Sequence, residues 1–284
     1  MDHILYAVVL ALDVWAAYSV LRPNAPLSLP GLSLARPTLL AVALLSHTVL
    51  WHAQVFTPEG MRFGFAYAVS ITLLLACWVL WWESVSGVPS VLEAVAYPAA
   101  AGGLLLPLFF TGSPTGNYAT NPYFQAHLSV ALAASSVVTL AAAQAVLMSF
   151  QERRLHSPRG LMGVASGGHA ADTFTSVIDR LPPLLTMERL LFKLLTAGFV
   201  LLSLTLFSGV LFTEQWLNKP LQFNHKTLFT LLSWAIFGAL LLGRHLKGWR
   251  GRTALRWTLA GVSTLLLAYV GSRFVLEVIL HRTL

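Results

Sequence analysis

Nine histidines are the residues of this chain best suited to chemistry, and most of them stand among apolar neighbours. An imidazole in such surroundings can ligate a metal, haem iron included, or titrate near neutral pH. It can equally hydrogen-bond a neighbouring helix and do nothing more. His47 and His52 share one apolar run, but only Trp51, four residues on, lies on the helical face of His47. His47 and His52 are therefore not expected to ligate one iron together. His127 sits just inside a second run, His225 opens a third and His281 closes the last. Several imidazoles at one depth put ligation on a par with helix glue, because a metal needs convergent ligands and glue does not. Asp13 is a carboxylate inside an apolar run with no evident partner in the sequence. Arg273 and Glu277 are four apart and read as a pair on one helix. The single cysteine, Cys77, excludes an intrachain disulfide, and neither a CxxC redox pair nor a CxxCH haem-attachment motif occurs.

The elements that must position these groups are eight apolar runs: residues 4–21, 37–56, 63–82, 89–110, 123–150, 190–212, 227–243 and 257–280. Each has roughly the 17–25 residues that a helix needs to span hydrocarbon. A chain in lipid must satisfy its backbone within the segment, so the runs predict helices. The composition, 56% hydrophobic and 10% charged, excludes an ordinary soluble domain. An all-α, polytopic membrane bundle of eight transmembrane helices follows, as one integral domain over residues 1–284. The net charge of +7 is no nucleic-acid signal, since membrane proteins collect Lys and Arg in cytoplasmic loops. The first run lacks a basic leader and a small-x-small site, so it reads as a retained helix.

Of the 18 Lys and Arg residues, 13 fall in or beside the loops after runs 1, 3, 5 and 7, and 5 fall on the other side. The positive-inside rule makes the richer side cytoplasmic and places both termini outside. The strongest pointer is the turn from Gly243 to Arg252, which carries Arg244, Lys247, Arg250 and Arg252. The connection over residues 151–186 is rich in Gly, Ser and Ala at its centre and is expected to be a mobile cytoplasmic loop. On this topology His47, His52, His127, His225 and His281 occupy the middle or outer levels, and His156, His169 and His245 the cytoplasmic side.

The stretch from Ser208 to Phe274 carries Ser208-Gly209, Trp216, Phe223-Asn224-His225-Lys226-Thr227, Trp234 and the basic turn Gly248-Trp249-Arg250-Gly251. In that order these residues resemble the cytochrome c assembly superfamily, the haem-handling proteins of the CcsA and CcmC type. Leu181-Pro182-Pro183-Leu184 with Met187-Glu188, and Leu267 to Ser272, are similar to its eight-span YpjD- or HemX-like branch of bacterial inner-membrane proteins. The resemblance implies a multi-pass protein of the bacterial inner membrane that binds haem b near the outer leaflet. It implies His127 and His47 as the iron ligands, with His281 as an alternative second ligand. His225, Lys226 and Trp216 would then line the haem edge. The family's Trp-rich outer motif is reduced here to Trp216, and Phe223-Asn224 stand where Trp-Asp would.

Two functions are compatible with these residues. One is haem binding and presentation in cytochrome c maturation, with no bond chemistry performed by this chain alone. The other is a non-haem accessory subunit that uses the same fold to regulate a partner membrane protein through the 244–256 turn and the 151–188 connection. The lipid bilayer is a partner in either case, and nucleic acid in neither.

Overall fold

A computed structural model describes residues 3–21, 36–57, 60–87, 90–110, 113–114, 121–156, 181–216 and 225–268. The described chain is all-α but for three very short strands. The helices are α1 (His3–Leu21), α2 (Arg36–Val55), α3 (Phe65–Val85), α4 (Glu93–Phe109), α5 (Pro122–His156), α6 (Leu184–Trp216), α7 (His225–Lys247) and α8 (Gly251–Leu266). Among the described residues six of them, α1, α2, α3, α5, α6 and α7, are long and apolar enough to cross a membrane. The expectation of eight meets two shorter helices: α4 has 17 residues and α8 has 16. The apolar run that α8 begins extends past residue 268, outside the described residues.

Helix ends differ from the ends of the apolar runs for physical reasons. The 35 residues of α5 would be about 52 Å long at 1.5 Å per residue, well beyond a hydrocarbon core of ~30 Å. Hydrogen bonds along a helix do not stop where hydropathy does, so α5 and α6 run on past their apolar centres. Phe56 and Phe63, which hydropathy alone assigns to spans, instead lie in strands. These are β1 (Phe56–Thr57), β2 (Gly60–Phe63) and β3 (Ser113–Pro114), antiparallel in the order β1-β2-β3. Phe56 pairs with Met61, and Phe63 with Ser113.

The chain divides into two compact units. The first comprises residues 1–136 and 270–284, the second residues 137–269. In the first, α1 packs on α2, α2 on α3, α3 on α4 and α4 back on α1, closing a ring of four helices. Its interior holds Val9, Leu44, Cys77, Leu80 and Leu104, all essentially inaccessible. Pro98 and Pro107 lie inside α4. Pro107 has no N–H to offer the preceding turn. In that turn the Tyr6 hydroxyl donates to the Leu104 carbonyl and ties α1 to α4. Trp78 and Trp81 bind α2. Trp78 Nε1 donates to Thr48 Oγ1 at 3.1 Å and Trp81 Nε1 to the Pro37 carbonyl at 2.8 Å. Trp82 remains the exposed member of the group.

In the second unit α7 packs on both α6 and α8. Ser233 Oγ donates to the Gly261 carbonyl at 2.8 Å, and Phe237 packs directly over Gly261. Trp234 stacks on Phe199, with ring centroids 5.5 Å apart, and its Nε1 donates to Ser203 Oγ at 2.8 Å. The rest of α5 belongs here, where Gln144 Nε2 donates to the Met187 carbonyl of α6 at 3.0 Å. The basic turn between α7 and α8 is built on glycine. Gly248 takes φ +66° and its N–H caps α7 by donating to the Arg244 carbonyl at 3.1 Å.

Candidate functional site

His47 is the twelfth of the 20 residues of α2, and Asp13 the eleventh of the 19 of α1. Both are therefore near the middle of their helices, about 16 Å from either helix start. His47 is fully buried and Asp13 nearly so. His47 Nδ1 meets Asp13 Oδ2 at 2.6 Å, an ion-pair contact that lies off the in-line direction of a hydrogen bond. This is the partner that the sequence left unassigned for Asp13. Each group alone would be costly at this depth, and the contact lets one offset the other.

The other ring nitrogen, His47 Nε2, is buried and has no hydrogen-bond partner among the described residues. Buried polar atoms are nearly always satisfied, so an orphaned one marks a place where a ligand can bind. Histidines that ligate metals commonly hold a carboxylate on the second ring nitrogen, which fixes ring orientation and raises basicity. The Asp13–His47 arrangement has that form: the carboxylate stands beside Nδ1, and Nε2 has no hydrogen-bond partner among the described residues.

The aromatic side of the site is Trp51, one turn along α2 as expected, with its ring centroid 5.7 Å from that of His47. Trp51 is held in turn: its Nε1 donates to Ser70 Oγ of α3 at 3.1 Å, and Tyr67 meets it edge-on with centroids 5.2 Å apart. His52 is exposed and packs on Phe56, so α2 separates the two histidines as their spacing predicts. His127 lies in the first turns of α5, half-buried, in the same unit as His47. Helix α6 ends at Trp216, and α7 opens at His225 followed by Lys226. His281 and the Arg273/Glu277 pair fall outside the described residues. Among the described residues no three His, Cys, Asp or Glu side chains converge as a metal-binding cluster. Imidazole nitrogen is a haem-iron ligand, and the donor chemistry of His47 Nε2 fits that group.

A buried His–Asp pair between the first two helices of a membrane bundle is the feature against which known proteins can be weighed. The cytochrome c assembly protein family model matches residues 36–280. The chain belongs to that family. Inner membrane protein YpjD of Escherichia coli K12 is 25% identical over 240 residues, covering 84% of this chain and 85% of that one. An uncharacterized 28.8 kDa protein of Azospirillum brasilense is 26% identical over 230 residues, 81% of this chain and 78% of the other. Cytochrome c biogenesis protein CcsA of Prochlorococcus marinus (strain MIT 9303) is 24% identical over 156 residues, about half of each chain. No solved structure matches. Family membership, the YpjD likeness and the apolar helices make this a multi-pass protein of the bacterial inner membrane. The family match begins at Arg36 and so includes His47 but not Asp13.

Proposed function

We propose that this chain is a haem-handling protein of cytochrome c assembly, and that His47 Nε2 is one of the two nitrogens that hold the iron. The observation that carries the reading is that nitrogen: fully buried, without a hydrogen-bond partner among the described residues, on a ring whose other nitrogen meets Asp13. His127, from the start of α5, supplies the second nitrogen, with His281 as the alternative. The family resemblance would give His225, Lys226 and Trp216 the haem edge, and a helix N-terminus such as that of α7 favours propionate anions. The haem is haem b, bound without a covalent link because the chain has no CxxCH motif. It sits in the outer half of an eight-span bundle whose termini both face outward.

When bound, the haem contributes iron and a transferable porphyrin; the chain contributes binding, orientation and exclusion of water. Asp13 holds the His47 ring in place and keeps its proton on Nδ1. Trp51, fixed by Ser70 and Tyr67, blocks rotation of that ring. The deciding experiment is the absorption spectrum of the detergent-purified full chain. A Soret band with low-spin bis-imidazole features is expected. It should vanish in His47→Ala and in His127→Ala and persist in His245→Ala. A folded, colourless protein after expression with excess haem would overturn the reading in favour of an accessory membrane subunit.

A further inference from the structure

We propose that the cleft between the basic ends of α6 and α7 is a binding site for the phosphate of an anionic phospholipid. The cleft has a volume of about 780 Å³. Its rim carries Arg189 and Lys193, one helical turn apart on α6, and Arg244 and His245 at the end of α7. Its floor is apolar, with Phe192 and Phe199 on one side and Leu241 on the other.

Three permanent cations line this space, and among the described residues the Glu188 carboxylate stands beside Arg244 and Arg250. Glu188 Oε1 is 3.8 Å from Arg244 Nη1 and 3.9 Å from Arg250 Nε, contacts too long for hydrogen bonds and shared between two guanidiniums. Arg244 lies with Cζ 3.4 Å from the centroid of the Phe192 ring. Its Nη1 is buried and has no hydrogen-bond partner among the described residues. A guanidinium in that position has charge and N–H groups to offer an incoming anion, and phosphate is the oxyanion its fork geometry suits.

The surroundings select a lipid over a phosphate free in water. Arg189, Lys193 and Thr196 are exposed on one face of α6, and that face continues through Val200, Leu204 and Phe207, exposed by 52%, 49% and 65%. From Lys193 to Phe207 the stripe runs about 21 Å along the helix, comparable to a phospholipid tail. A headgroup at the basic end would therefore lay its acyl chain along an apolar track on the same helix. Basic pockets between helices on the cytoplasmic side are a recurring form of anionic headgroup site. Arg252 is not part of this site, since its Nε is already committed to Glu152 at 2.7 Å.

The test is thermal unfolding of the full chain in neutral detergent with added phosphatidylglycerol, phosphatidylcholine or inorganic phosphate at equal phosphorus concentration. Phosphatidylglycerol should raise Tm by several degrees, as any ligand of the folded state does. The other two should leave Tm within one degree. The double variant Arg189→Gln/Lys193→Gln alters two exposed side chains and should lose the shift while its Tm without lipid stays close to wild type. The control Lys247→Gln/Arg256→Gln, equally reduced in charge, should keep it. Native mass spectrometry should find retained phosphatidylglycerol on the wild type and less on the cleft variant. An equal shift with phosphatidylcholine, or with inorganic phosphate alone, overturns the proposal. So does a cleft variant that keeps the full shift, or a control that loses it equally.

Discussion

At the scale of single residues, the Asp13–His47 contact separates what is structural from what is functional. Asp13→Ala leaves a buried imidazole without its counter-group, and an unsatisfied buried polar group costs about 1–3 kcal/mol. A lowered Tm is the expected result. The double replacement Asp13→Leu/His47→Leu removes both polar groups together. Exchanging a buried pair for apolar side chains is often neutral or better, so its Tm should recover toward wild type. If the pair existed only for stability, that variant would keep every other property. On the haem reading it is folded and colourless. Asp13→Asn makes a finer distinction. It weakens the basicity of the ligating ring without emptying the space, so the midpoint potential of the bound haem should rise while the Soret band remains. An unchanged potential would reduce Asp13 to a packing role. The depth of His47 was legible in the sequence, and so was its shared face with Trp51. Its partner was not, because Asp13 and His47 sit on different helices that are apolar on nearly every side. In lipid the outward face of a helix is as apolar as the inward one, so periodicity no longer tells which residues meet.

At the scale of elements, the α7–α8 turn explains a sequence motif in backbone terms. Gly248 occupies the left-handed region, which costs any residue with a Cβ roughly 1–2 kcal/mol. Gly248→Ala should lower stability by about that amount, read as a fall in the Tm of the purified protein. Gly243 serves another purpose. A Cβ there would run into the Trp249 indole, which folds back over α7. Gly243→Ala should therefore displace Trp249 and quench or shift its fluorescence, and Gly243→Ala combined with Trp249→Ala should restore the lost stability. The order of the described helices could be read from apolar runs, since each run had to satisfy its own backbone. The three strands could not. None exceeds four residues, too short for an alternating pattern to register.

For the whole molecule, the asymmetric placement of Lys and Arg yields a topology that reporters can check. With eight spans and both termini outward, alkaline phosphatase fused after His281 should be active and fused within the 248–252 turn should be inactive. Green fluorescent protein at the same two points should give the reverse. Any other pattern sinks the topology, whatever the fate of the haem reading. The family itself was visible in the sequence partly because motifs such as Gly248-Trp249-Arg250-Gly251 and Leu181-Pro182-Pro183 lie at a turn and a helix start, where backbone geometry restricts residue choice. The lipid-facing cleft was not visible. Its four basic side chains come from two helices and look, in the sequence, like ordinary cytoplasmic charge.

The second unit has a further consequence for how this protein can be put together. Its α5 and α6 are held side by side by the Gln144–Met187 hydrogen bond and by Val138 packed against Gly198, while Arg252 of α8 grips Glu152 of α5. All three attachments bridge the stretch between residues 157 and 180 without using it. None of these three contacts requires covalent continuity there. A gene divided at codon 165 should yield two polypeptides that find each other in the bilayer and co-purify through a tag on either one. Breaking the Gln144 bond by Gln144→Leu should weaken that reassembly in trans far more than it harms the uncut chain.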